Sequence, residues 1–176
     1  DNATDTLKQQ IALDITNGVE LGVLLTEDLT LYPNVHYIIT SVLGIPEGVT
    51  LTVKPGTHLQ INVYDPIQKV GNGGNLVMNG TKDSLIVLTG ETMVFNWANT
   101  FRYIRADGMY WLTPRDKETA PIFENCILPG YGPSGTDMRV GQLIQCNFYT
   151  SVNTFAKMTA EPQYCNFSHV IGNDYY

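Results

Sequence analysis

Between Ile45 and Gly90 apolar and polar residues alternate in short runs. Thr50-Leu51-Thr52-Val53, His58-Leu59-Gln60-Ile61-Asn62-Val63 and Asn75-Leu76-Val77-Met78 are the clearest of them. A strand points successive side chains to opposite faces, so this period places Leu51, Val53, Leu59, Ile61 and Val63 on one buried face. Turn formers cut the runs at Pro55-Gly56-Thr57 and Asn79-Gly80-Thr81. Short strands, each ended by a turn and with no helical period between them, predict an all-β solenoid of stacked coils.

The same grammar extends in both directions. Val35 to Thr40 is β-branched and aromatic, hence a strand. Short strands are expected within Val19 to Leu31, around Trp97, Phe101, Tyr103 and Ile104, and at Met109 to Leu112. The C-terminal third repeats Cys-x-Leu/Phe units at Cys126, Cys146 and Cys165, with steps of 20 and 19 residues. A step of that size matches one coil and predicts an inward ladder of three thiols, with Leu128, Phe148 and Phe167 stacked beside it. Residues 1–17 read as an N-terminal cap or lead-in, including a short helix that carries Leu7 and Ile11. Residues 18–176 read as the solenoid, continuing past the last residue. The charged stretch from Thr113 to Pro121 reads as a projecting loop.

The string Ile45-Pro46-x-Gly48-Val49-Thr50-Leu51-Thr52-Val53-x-Pro55-Gly56-Thr57, then Leu76-x-x-x-Gly80-Thr81 and Ile86-Val87-Leu88-Thr89-Gly90, resembles right-handed parallel β-helix domains of secreted and cell-surface proteins. The resemblance covers residues 45–90. It implies a single-stranded right-handed parallel β-helix and an extracellular or cell-surface location. Such folds include polysaccharide lyases and glycoside hydrolases, which carry Asp clusters, with or without calcium, and a Lys or Arg base on one face. Asp65 with Asp83, and Asp116 with Asp137, are loosely in phase here, with Lys82 and Arg139 adjacent. No cofactor is expected; the one alternative is calcium held by oxygen ligands of Asp116, Glu118 and Asp137, for which no Asp-x-Asp-x-Asp-Gly loop is present.

Charge narrows the partners. The chain carries a net charge of −7 with charged residues at only 15%, a balance that repels nucleic-acid phosphates and anionic lipid. No apolar run of about 18 residues is present, so no membrane insertion is expected. Sequons stand at Asn2, Asn79 and Asn166. His36, His58 and His169 each sit alone along the chain, and no Ser-His-Asp, zinc or phosphate-loop spacing occurs. Aromatic residues concentrate instead beside the charged loop. Tyr110, Trp111 and Tyr131 are the expected contact residues, with Arg115 and Asp116 giving polar direction. The sequence therefore reads as a non-catalytic extracellular module for structural display, adhesion, or binding of a glycan or protein surface. A β-helix carbohydrate-active enzyme is one alternative. The other is a filament subunit that self-associates through its solenoid ends.

Overall fold

A computed structural model describes residues 18–21, 23–95, 97–107, 110–112, 121–129, 139–140, 142–152, 157–158 and 163–170. A partial first coil holds β1 (Val19–Glu20) and β2 (Leu29–Leu31). Five three-strand coils follow. They are β3 (His36–Ile39), β4 (Leu43–Pro46) and β5 (Thr50–Val53); β6 (His58–Ile61), β7 (Ile67–Val70) and β8 (Asn75–Met78); and β9 (Ile86–Gly90), β10 (Thr92–Val94) and β11 (Thr100–Arg102). The last two are β12 (Ile104–Asp107), β13 (Tyr110–Leu112) and β14 (Ile122–Glu124), then β15 (Ile127–Leu128), β16 (Arg139–Val140) and β17 (Gln142–Ile144). β18 (Asn147–Val152), β19 (Lys157–Met158) and β20 (Asn166–Val170) complete the described chain. All strand-to-strand pairings are parallel, which makes the fold an all-β parallel solenoid. No helix occurs among the described residues, and the expected capping helix at 1–17 lies outside them.

Three walls enclose the core. One is an eight-stranded sheet in the order β1-β3-β6-β9-β12-β15-β18-β20. The second is built of the pairs β4-β7, β10-β13 and β16-β19. The third joins β2-β5-β8 to β11-β14-β17 through a bridge between Asn79 and Arg102. Alternation predicts the interior well: Leu51, Val53, Leu59 and Ile61 are buried, while Val63 lies past the end of β6 and is only half-buried. Each such side chain withdrawn from water contributes roughly 1.5–3 kcal/mol. Midway along the solenoid the filling becomes aromatic. Phe101 and Phe123 stack from adjacent coils, and Phe95 meets both edge-on at 5.0 Å.

The turns follow from their residues. Thr57 N–H donates to the Lys54 carbonyl across Pro55-Gly56, and Gly56 adopts φ +80°. That is the left-handed third position of a type II turn, with proline pre-set at the second. One coil earlier, Pro33-Asn34 repeats the arrangement with Asn34 at φ +66°. Gly71 to Gly74 forms a further turn, and its last residue is tightly packed: a Cβ on Gly74 would lie 2.4 Å from two backbone carbonyl oxygens.

From the third complete coil onward, one corner repeats. The third wall meets the long sheet through a single left-handed residue: Tyr103, Asn125, Gln145 and Tyr164, at φ +51°, +55°, +52° and +55°. Their amides form a ladder: Tyr103 N–H donates to the Glu124 carbonyl, Asn125 to Ile144 and Gln145 to Gln163. The residue after each corner points inward. Ile104 pairs with Ile86, and Cys126, Cys146 and Cys165 continue that row. The expected thiol ladder is therefore present, with Cys126 and Cys146 buried, Cys165 half-buried and all three reduced. Each thiol donates to a backbone carbonyl two residues earlier, at 3.3–3.4 Å. Leu128 is the register partner of Phe148 and Phe148 of Phe167, the expected alignment along the chain.

Candidate functional site: the outer face of the long sheet

In-register stacking turns sequence periods into side-chain rows. On the outside of the long sheet one row runs His36, His58, Val87, Arg105, Ile127, Asn147, Asn166. A second runs Ile38, Gln60, Thr89, Asp107. Neighbouring rungs stand about 4.8 Å apart, so polar groups on these rows meet without any long excursion of the chain.

The histidines that look solitary in sequence form a pair. His36 and His58 are register partners on β3 and β6, with rings stacked at 4.8 Å and 9° between planes. His58 Nε2 lies 3.1 Å from Thr89 Oγ1 on the next strand, close enough for a hydrogen bond in either tautomer. Burial lowers the pKa of His58 from the ordinary imidazole value, the neighbouring His36 lowers it further, and Asp107 opposes both. One rung on, Arg105 Nε donates to Asp107 at 2.8 Å. That hydrogen bond and the charge on Asp107 raise the guanidinium pKa further. Asn166 Nδ2 donates to Asn147 Oδ1 at 2.7 Å, extending the polar row to the last strand. β15 holds only two residues and leaves the Ala106 carbonyl beyond its end. Tyr149 reaches across and donates its hydroxyl to that oxygen at 2.6 Å, which satisfies a backbone acceptor.

This arrangement offers donors and acceptors at rung spacing, two imidazole faces and a tyrosine on one surface. The stacked rings are poor joint metal ligands, because their lone pairs lie in parallel planes and do not converge on one ion. Among the described residues no group of three or more His, Cys, Asp or Glu side chains is placed to hold a metal.

None of the contact residues expected from sequence is among the described side chains of this face. Tyr110 and Trp111 are the first two residues of β13, in register with Thr92 and with the core residue Met93; their side chains lie outside the described part of the structure. Tyr131, Arg115, Asp116, Glu118 and Asp137 lie outside the described residues, and so does any calcium group they form. Asp65 and Asp83 stand at different corners, before β7 and before β9 respectively, and do not stack. The sequence reading leaves His36 and His58 solitary and does not bring Thr89 or the Arg105–Asp107 pair to them. The usable signal was the 22-residue step between the two histidines, one coil long. Comparison of the chain with family models, curated proteins and solved structures gave no match.

The histidine pair has a consequence for stability. The folded state binds a proton at His58 less readily than the unfolded chain does. Above the ordinary value of 6.5 both states are neutral there and stability is unaffected. As pH falls below it the unfolded chain takes up protons first, so stability drops through the lower folded value. Thermal melts from neutral to mildly acidic pH should therefore show a smaller loss for His58→Gln than for the wild type. Equal losses would remove His58 as the cause.

Proposed function

We propose that the chain is a non-catalytic binding and display module of an extracellular β-helix protein, and that it holds a glycan along the outer face of its long sheet. The observation that supports this is the pair of outward rows on consecutive rungs, from the His36–His58 stack through Thr89 and Asp107 to Asn147 and Asn166. Sugar hydroxyls need closely spaced donors and acceptors together with flat apolar faces. The imidazole stack and Tyr149 give the faces. Gln60, Thr89, Asp107 and the asparagines give the polar groups. The net charge of −7 favours a neutral glycan over a polyanion. Tyr110, Trp111, Tyr131, Arg115 and Asp116 remain the proposed second contact patch, beside the charged loop.

A glycan array followed by calorimetry tests the reading. Alanine at His36 and Asn147 should weaken the best neutral ligand by at least about tenfold, the loss expected for two well-placed contacts, with thermal stability near wild type. Undiminished binding in that variant sinks the face as the site. Shortened chains or new reducing ends in the same mixtures would replace binding by the carbohydrate-active enzyme reading.

A further inference from the structure

The corner between β6 and β7 brings together groups that the solenoid does not need there. Asp65 adopts φ +48°, a left-handed conformation that Asp enters more readily than most side chains. The next residue is Pro66, which is buried, and its carbonyl oxygen accepts from Leu43 N–H at 2.6 Å. The proline side of the Asp65–Pro66 bond is thus fixed to the preceding coil. On the other side, Gln68 Nε2 donates to Asp65 Oδ2 at 2.9 Å and to the Asp65 carbonyl oxygen at 3.3 Å. One nitrogen therefore holds the carboxyl and the peptide carbonyl of a single residue together. Burial pushes the carboxyl pKa up, against a smaller opposing effect of the Gln68 hydrogen bond.

The geometry points to Asp65–Pro66 as a self-cleavage site, at which the Asp65 side chain breaks its own peptide bond to proline in mild acid. An oxygen of the Asp65 carboxylic acid attacks the Asp65 carbonyl carbon, and the new C–O bond closes a cyclic anhydride. The C–N bond breaks, its electron pair goes to the Pro66 nitrogen, and that nitrogen takes the carboxylic proton. Water then opens the anhydride, leaving Asp65 with two carboxyl groups and Pro66 with a free secondary amine. The net change is one peptide bond and one water consumed. Gln68 donates to the oxygen on which negative charge develops. The corner supplies proximity of nucleophile and carbonyl. Burial keeps the acid form populated at higher pH than in an open chain. β6 pairs with β3 and β9, and β7 pairs with β4, on either side of the break. The product is a nicked solenoid of two chains, 1–65 and 66–176, held together by the sheets.

The purified full chain is incubated between about pH 4 and pH 5, near the carboxyl range, and at neutral pH, then read by mass under denaturing conditions. The expected result is first-order appearance of fragments 1–65 and 66–176 with a combined mass gain of one water. The rate should be faster in acid and independent of protein concentration. Asp65→Asn, which tolerates the same backbone conformation, should give no fragments. Gln68→Met keeps the side-chain length but removes the donor, and should slow the reaction by about tenfold or more, the cost of losing an oxyanion donor. Loss of that hydrogen bond also raises the carboxyl pKa, so a reaction governed by protonation alone would speed up in Gln68→Met. The proposal is overturned by an intact folded chain, by Gln68→Met cleaving as fast as wild type, or by equal or faster cleavage in urea. The last outcome would assign the chemistry to the dipeptide and not to the corner.

Discussion

Replacing Gly90 by alanine should lower folding stability by more than about 3 kcal/mol, read as the midpoint of chemical denaturation. Gly90 ends β9 at φ +110°, where a Cβ would stand 2.0 Å from the carbonyl oxygen of Ile61 on β6. Neither partner can retreat. Glu91 N–H donates to that same Ile61 oxygen at 2.7 Å, and Ile61 itself is wholly buried. Relief therefore means parting two strands at the centre of the long sheet. Gly48 is the control: it has φ +78°, but a Cβ there would meet nothing within 4 Å. Gly48→Ala should cost only the left-handed strain, about 1 kcal/mol. If the two substitutions have equal effects, close approach of β9 to β6 is not what Gly90 serves.

Cys146→Asp should leave no folded protein under ordinary conditions, a loss above about 4–5 kcal/mol. The Cys146 side chain is 0% exposed and lies in a row of thiols. A hydrogen bond with the Cys126 thiol and burial both push its pKa upward, as expected where an anion has no favourable setting. A carboxylate there would meet the Phe123 and Ile144 carbonyl oxygens and the thiols of Cys126 and Cys165. Cys146→Val should fold, because Ile104 fills the same row two coils earlier. Native thiol labelling gives an independent check. Cys165 should react first, and slowly, since burial also raises its pKa; Cys126 and Cys146 should stay unmodified until unfolding. Rapid labelling of all three would falsify the buried ladder.

The strands were legible where alternation was undisturbed. Thr50–Val53, His58–Ile61 and Asn75–Met78 are strands with the expected inward members. The cysteine ladder was legible because its coils step evenly. Earlier coils do not: Tyr37 to Leu59 is 22 residues, Leu59 to Leu88 is 29, and Ile86 to Ile104 is 18. With no constant period, residues that meet on the outer face carry no shared spacing. Thr89 touches His58 across 31 residues, and Asp107 adds a charge from a further rung. His36–His58 and Asn147–Asn166 each keep a one-coil step, yet a polar residue on an exposed row has no apolar period to mark it. Trp97 is buried as expected but is not in the expected strand. It lies between β10 and β11, outside any alternating run, yet is only 2% exposed, with Lys69 Nζ 5.7 Å from the ring centroid.

The repeated left-handed corner at Tyr103, Asn125, Gln145 and Tyr164 sorts the chain into places that accept a change of length and places that do not. An added residue beside Asn125 would shift β15 by one step along its neighbours and turn its inward side chains outward. The error would pass to every coil stacked after it. Residues inserted in the open turn at Gly71-Asn72 would meet no such ladder, since nothing stands within 4 Å of a side chain built on Gly71. A peptide grafted there leaves the long sheet in phase. The solenoid thus has one edge that keeps the count and another that is free to vary, so new loops can be displayed without rewriting the stack behind them.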